Sequence, residues 1–390
     1  MTVTDATVSL TTEPALLASH VVLVESRHLA IPTGVRSFLL PDGRWTPTDL
    51  PAVVIRVTDD DGVQGFSLLW FQRSVQALPV EAALRNIANE VSNHVLSDLA
   101  GIDRAIRGAT TFLGTQGVNA FAASGLKMAV EDLVCRRRNA SLADILGRTR
   151  DRVRAYRTGL MLDASVDELI EEAAASHARG VRAMKMIVGK PTIDEDVDRI
   201  QAVRSSLPAD TTLMVDALQR WHCADTALLA AERFSDFDLR WIEDPLAHGD
   251  RLGYRSLAQR SPVPIATGEA LFTRADLDGL LVDGIRYLVG EPERVGGLCA
   301  WKNIAEAAHD SGAAMLPHLY PHVSAQLLAT LRQEEVWLEY VPWFDALVVE
   351  ELALSADGTF EVGSAAGSGF TPCPDGLERF ACGSWHRLTC

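Results

Sequence analysis

From Ala155 onward the chain repeats one pattern, a short apolar run followed by an amphipathic helical stretch, about every 25 to 30 residues. The apolar runs are Ala155 to Leu160, Ala183 to Val188, Leu213 to Ala217, Leu239 to Glu243, Val263 to Thr267, Ile285 to Val289, Ala313 to Leu316 and Val336 to Tyr340. Strands that alternate with helices pair in parallel, because each helix carries the chain back to the starting edge. Such a series winds an open sheet or closes into a barrel. Eight units with no Gly-rich phosphate loop after the first strand favour the barrel.

Before this series the pattern differs. Residues 1–20 are Thr-rich and read as a frayed leader, and strand character begins at Val21. Ala52 to Thr58, the turn DDDG at 59–62 and Val63 to Leu69 form a hairpin signature. Helical spacing over Val80 to Leu96 and Gly117 to Val134 completes a first α+β domain over 21–150. Between these elements His28 to Pro51 holds four prolines and little periodicity. It is expected to be a lid or binding loop. The barrel is assigned to 151–345, and 346–390 is expected to be a mostly irregular segment returning to the first domain.

Composition narrows the function. With 52 acidic against 36 basic residues the formal charge is −16, which argues against nucleic acid or an anionic membrane as partner. No apolar stretch approaches the roughly 18 residues of a membrane span, so a cytoplasmic location is expected. The six cysteines, at 135, 223, 299, 373, 382 and 390, are scattered and contain no CxxC, so their expected role is packing.

In a parallel barrel the chemistry sits at the C-terminal ends of the strands. Asp216 in LMVDALQRW, Glu243 in LRWIEDP and Glu269 in PIATGEA end three successive apolar runs. Their intervals, 243 minus 216 and 269 minus 243, are 27 and 26 residues, one β/α unit each. Adjacent strands then place three carboxylates around one point, where they repel unless a cation sits among them. An all-oxygen set suits Mg²⁺ better than Zn²⁺. Glu291 in LVGEPERVGG ends the sixth run, His318 in AAMLPHLYPH the seventh and Glu339 in VWLEYV the eighth. Neighbouring strand ends bring the Glu291 carboxylate to the His318 imidazole, fixing its tautomer and raising its basicity. Lys185 in RAMKMIVGKP reaches the barrel mouth, to bind a substrate carboxylate or balance the metal's ligands.

These fragments, in this order, resemble the enolase superfamily and within it the mandelate racemase-like group. The resemblance runs from SGLKMAVEDLVCRRRNASLADILGRTRDRV through KMIVGKPTIDEDVDRIQAVR, LMVDALQRW, WIEDP, ATGEA and ERVGG to PHLYPHVSAQLLA. It implies a modified TIM barrel, (β/α)₇β, with an α+β capping domain. It implies Mg²⁺ held by Asp216, Glu243 and Glu269, with His318 as catalytic histidine, Glu291 as its partner and Lys185 as first lysine of a KxK motif. It places Glu339, Leu218 and Ile187 on the substrate side of the pocket, and it implies a small carboxylic acid as substrate and a homo-oligomer, dimer or octamer.

Three departures shape the expected reaction. The second lysine of KxK is Ile187, which takes no proton; Glu291 stands where Asp is usual; and Leu218 stands where Asn often meets a substrate hydroxyl. One base on one face favours dehydration of a hydroxy acid or acid sugar to a 2-keto-3-deoxy acid, with His318 as base and then acid. A racemase, epimerase or cycloisomerase is the alternative, and a metal- and carboxylate-binding homologue without turnover is the non-enzymatic one.

Overall fold

The structure, a computed structural model, describes residues 10, 15, 17–33, 38–40, 43–45 and 49–389. The chain begins with strands β1 (Val21–Pro32), β2 (Phe38–Leu40), β3 (Gly43–Trp45), β4 (Asp49–Asp59) and β5 (Gln64–Trp70). β4 and β5 form the expected hairpin, and β1 runs antiparallel to β4 from Val21 opposite Asp59 to Pro32 opposite Asp49. The segment 28–51 is therefore not loop at its ends: β1 continues through His28 to Pro32 and β4 starts at Asp49. The short β2–β3 pair lies between them, and residues 34–37, 41–42 and 46–48 of the expected lid fall outside the described residues. Most of the expected leader falls outside them too.

Helices α1 (Ala77–Val91) and α3 (Val118–Arg137) pack on this sheet, and α2 (Leu99–Thr110) packs on α1. α3 is buried along most of its length, and β5 crosses it so closely that a Cβ on Gly65 would lie 2.3 Å from the Ala129 carbonyl oxygen. The buried Glu131 of α3 accepts from the backbone N–H groups of Leu298 and Cys299 at 2.7 and 3.2 Å, at the start of barrel helix Leu298–Asp310. A buried carboxylate at a helix N-terminus holds the cap on the barrel.

The barrel strands are β6 (Arg152–Gly159), β7 (Ala183–Ile187), β8 (Thr212–Asp216), β9 (Leu239–Glu243), β10 (Ile265–Thr267), β11 (Tyr287–Gly290), β12 (Ala314–Pro317) and β13 (Leu338–Tyr340). They lie in the order β13-β6-β7-β8-β9-β10-β11-β12, every pair parallel. β12 and β13 stand side by side with no ladder between them among the described residues, so the barrel is nearly closed. Beyond it β14 (Thr359–Glu361) pairs with β6, and β15 (His386–Arg387) pairs with β1 of the cap. No helix of the described residues is long and apolar enough to cross a membrane. Of the described cysteines only Cys135 and Cys299 are buried; Cys223 and Cys382 are exposed, so packing accounts for part of the set.

The barrel interior is a plug of eight side chains, seven from strands β6 to β12 and one just before β13: Tyr156, Ala183, Met214, Trp241, Ala266, Val289, Leu316 and Trp337. Because side chains alternate along a strand, the next inward position lies two residues on, toward the mouth. Those positions are Thr158, Lys185, Asp216, Glu243, Gly268, Glu291, His318 and Glu339.

Candidate active site

Seven of these eight positions are polar, and their arrangement is the site. Lys185, 1% exposed, donates from Nζ to Glu243 Oε1 at 2.6 Å and lies 3.0 Å from Glu339 Oε1 and 3.3 Å from Asp216 Oδ2. One ammonium thus serves carboxylates from three strands, over the face of the Tyr156 ring 5.5 Å away. Glu243 also accepts from the Trp241 indole at 3.1 Å, and Asp216 from the Leu218 backbone at 2.9 Å. Leu218 and Gln219 both hold positive φ, 45° and 60°, so the turn after β8 is strained at the mouth.

On the other side the Glu291 carboxylate bonds His318 Nδ1, as the order of strands predicts. This leaves Nε2 facing inward, 3.7 Å from Glu269 Oε2 and 3.8 Å from Glu339 Oε2. Glu291 Oε2 accepts from Arg294 Nε at 2.6 Å, a partner the sequence reading passed over although it lies in the quoted ERVGG motif, three residues on along a short helical turn. The longer Glu side chain therefore forms the imidazole pair and the arginine pair at once.

Glu269 departs from the expected position. On β10 the inward slot is Gly268, at φ 129°, where a Cβ would lie 2.7 Å from the Val289 carbonyl oxygen. The carboxylate comes one residue later, off the strand, and faces His318 and His248, each at 3.7 Å. His248 in turn meets Asp244 at 2.8 Å, and Asp244 accepts from Thr267 Oγ1 at 2.6 Å. Asp244, His248 and Glu269 have one ligand atom each within 4.8 Å of one another, whereas Asp216, Glu243 and Glu269 are not gathered so closely. Asp244 and His248 were not singled out from the sequence. Asp244 is visible only as the second acid of WIEDP.

Lys185, Ile187, Asp216, Leu218, Glu269, Glu291, His318 and Glu339 all line one cavity of about 350 Å³, with Trp70 of the cap and Trp343 above them. Glu243 lies at its floor, 1% exposed. The Trp70 indole sits 6.4 Å from the His318 ring, and its buried N–H has no hydrogen-bond partner among the described residues.

The electrostatics follow from crowding. Burial pushes Glu243 up to about 8, with Asp216, Glu339 and Asp244 adding to it against the pull of Lys185. Burial likewise raises Asp216 and Glu269 above the usual carboxylate range. Burial also opposes charge on Glu291 and Glu339. There Arg294 with His318, and Lys185 with His318, outweigh it and hold each carboxyl at about 2. Burial, with the neighbouring Glu291 carboxylate, drives Glu293 well above its ordinary value. Burial disfavours the imidazolium of His318, but Glu291 and Glu339 override it and raise the ring to about 10. At Asp216, Glu243 and Glu269 neighbouring carboxylates add to burial in holding each group above the usual carboxylate range. Their all-oxygen donors fit a hard divalent cation.

Comparison with known proteins agrees with this layout. Residues 168–376 match the enolase C-terminal domain-like family, and residues 44–147 match the mandelate racemase / muconate lactonizing enzyme N-terminal domain. The chain is 30% identical to an L-talarate/galactarate dehydratase of Salmonella typhimurium over 93% of its length and 89% of that protein. It is 27% identical to a 3,6-anhydro-alpha-L-galactonate cycloisomerase of Streptomyces coelicolor, over 86% of this chain and 92% of that one. The crystal structure of an L-talarate dehydratase from Polaromonas sp. JS666, complexed with Mg and L-glucarate, superposes with a TM-score of 0.85 at 29% identity, covering 95% of this chain and 99% of that one. By these matches over both domains, and by its barrel and cap, the chain belongs to the mandelate racemase-like group of the enolase superfamily.

Proposed function

We propose that the protein is a Mg²⁺-dependent lyase that removes the proton α to a carboxylate and dehydrates a hydroxy acid of the acid-sugar type to a 2-keto-3-deoxy acid. Relatives named as dehydratases of talarate and galactarate, gluconate and arabinonate support the reaction class. Structural neighbours crystallised with Mg support the cofactor. The observation that carries the one-base form is the pairing of His318 Nε2, directed at the cavity, with the aliphatic Ile187 on β7.

Asp216, Glu243 and Glu269 would hold the ion, which when bound supplies Lewis-acid stabilisation for the dianion that forms as the α proton leaves. Glu291 fixes the His318 tautomer by holding Nδ1, so Nε2 is the nitrogen that accepts the proton. Neutralising Glu269, one of the carboxylates that raises the ring, moves His318 toward the range where it accepts that proton. The α C–H bond breaks and its electrons form the enediolate. The imidazolium then returns its proton to the β-hydroxyl, the C–O bond breaks and water leaves. The resulting enol tautomerises to the keto acid. Lys185 supplies the fixed positive charge among Asp216, Glu243 and Glu339, and Trp70 and Trp343 cover the mouth from water. The fuller reading is a cytoplasmic homo-oligomer, in keeping with an acidic chain whose Phe112 and Leu113 are exposed at 98% and 79%.

A screen of hydroxy acids and acid sugars with Mg²⁺, read by 2-keto acid formation, tests this. Keto acid from at least one of them, with one solvent deuterium at C3 of the product, where the enol is protonated, is the expected result. α-Deuterium exchange with no loss of water would move the assignment to the isomerases. Binding without exchange would make the chain a non-catalytic homologue.

A further inference from the structure

We propose a second metal site, on the cap and remote from the barrel mouth, formed by His28, Glu81 and His386 and suited to a transition-metal ion such as Zn²⁺. The topology puts these residues together. β15 pairs with β1 with His386 opposite Ser26, and His28 follows Ser26 by two, so both imidazoles stand on one face of the sheet. Their rings are 5.9 Å apart, centroid to centroid. α1 packs across the same face and lowers Glu81 between them.

Glu81 Oε2 is 2.6 Å from His28 Nε2, and Oε1 is 3.0 Å from His386 Nδ1; Ser26 Oγ donates to Oε1 at 3.4 Å. One ligand atom from each of the three residues lies within 4.8 Å of the other two. Tetrahedral Zn²⁺ with Zn–N near 2.05 Å spaces its ligands roughly 3.3 Å apart, so the 2.6 and 3.0 Å contacts open by about 0.7 and 0.3 Å when the ion enters. Two imidazoles and one carboxylate are the borderline donors that select Zn²⁺, Ni²⁺ or Cu²⁺ over Mg²⁺, which prefers oxygen alone. His28 and Glu81 are mostly buried, whereas the His386 side chain is 49% exposed, which leaves a solvent-facing side for a fourth ligand and a route of entry. Arg85, 3.9 Å from Glu81 Oε1, is the neighbouring cation that an incoming metal must displace from the carboxylate.

Three ligands on three elements would clamp the strand nearest the end of the chain to the first strand and first helix of the cap. The metal therefore acts on the stability of the cap, not on the reaction.

The test loads the full-length protein with Zn²⁺ in excess Mg²⁺, which occupies the oxygen-rich barrel mouth. Retained zinc is then counted after desalting, and the visible spectrum is recorded with Co²⁺ in its place. One retained zinc per chain, a rise in melting temperature and a tetrahedral Co²⁺ spectrum are expected. His386→Gln keeps a hydrogen bond to Glu81 but is a poor ligand. It should lose the retained zinc at least 10-fold while Mg²⁺-dependent turnover stays unchanged, and His28→Gln should lose the zinc likewise. No zinc retained by the wild type, or zinc and a Co²⁺ spectrum unaltered in both variants, would overturn the site and leave the three residues a hydrogen-bonded clasp.

Discussion

In the proposed reaction one aliphatic side chain, Ile187 on the cavity wall, sets how many faces of a substrate the barrel serves. Opposed bases would let the enzyme invert an α carbon; a base on one side and isoleucine on the other restrict it to one face. Ile187→Lys should therefore add deuterium exchange at the α configuration that the parent leaves untouched. Exchange of both configurations by the parent would reveal a base other than His318. At His318 the expectation is sharper. His318→Asn should lower turnover by about 10³-fold or more, since in the proposed reaction the residue acts twice, with the circular dichroism spectrum intact. Glu291→Gln should cost about 10- to 100-fold, as an orienting partner does, and should alter the pH profile of kcat because the ring's charge partner is gone. A near wild-type rate in His318→Asn would move the chemistry to another group.

At the scale of elements, the strands were readable and their far partners were not. A two-residue period and a mouth-facing last residue are local properties, so Asp216, Glu243, Glu291, His318 and Glu339 could be placed from LMVDALQ, WIEDP, LVGEP, MLPHL and WLEYV alone. Glu269 could be found but not aimed, because the turn at Gly268 takes it off the strand. Lys185's hold on three carboxylates is a long-range fact, set by which strands neighbour one another around the barrel. α2 escaped notice since Gly101 and Gly108 interrupt its pattern, yet Asp98 caps it at the Gly101 N–H and Leu99, Ile102 and Ile106 are buried. Prolines suggest loop at both ends of 28–51, yet Pro32 and Pro51 sit in strands β1 and β4. Asp283 ends barrel helix Arg274–Asp283 and binds Arg251 and Arg255 of the preceding helix, Nε to carboxylate at 2.5 and 2.8 Å. Burial opposes its charge, but the two arginines prevail and lower its pKa. A depressed carboxylate stabilises above its unfolded value of about 3.9 and loses that contribution as pH falls through the lower folded value. Asp283→Asn should thus cost about 2 kcal/mol at pH 7, the cost of unpairing a buried charge-assisted contact. The difference from wild type in urea unfolding should shrink toward zero below that value. A gap independent of pH would mean that packing, not charge, holds the two helices.

For the molecule as a whole, cap and barrel meet at the cavity, where Trp70 of the cap lines the same space as Lys185 and His318 of the barrel. Prolonged chelation should abolish turnover without unfolding, because the barrel is held by its eight-residue plug and by cap contacts such as Glu131 with Leu298 that need no metal. Mg²⁺ should restore it. Loss of secondary structure on chelation would show that the ion is structural. The plug also has an optical use. Trp241 is fully buried, 5.6 Å from Tyr156, 5.2 Å from Tyr287 and 6.5 Å from Trp337, and its indole N–H touches the Glu243 carboxylate. A chromophore wired in this way to the floor of the cavity is a native fluorescent sensor. Its emission reads the field at Glu243 without any label, and subtracting the spectrum of Trp241→Phe isolates it from the other seven tryptophans. Ligands that fill the mouth could then be ranked by titration before any product is known.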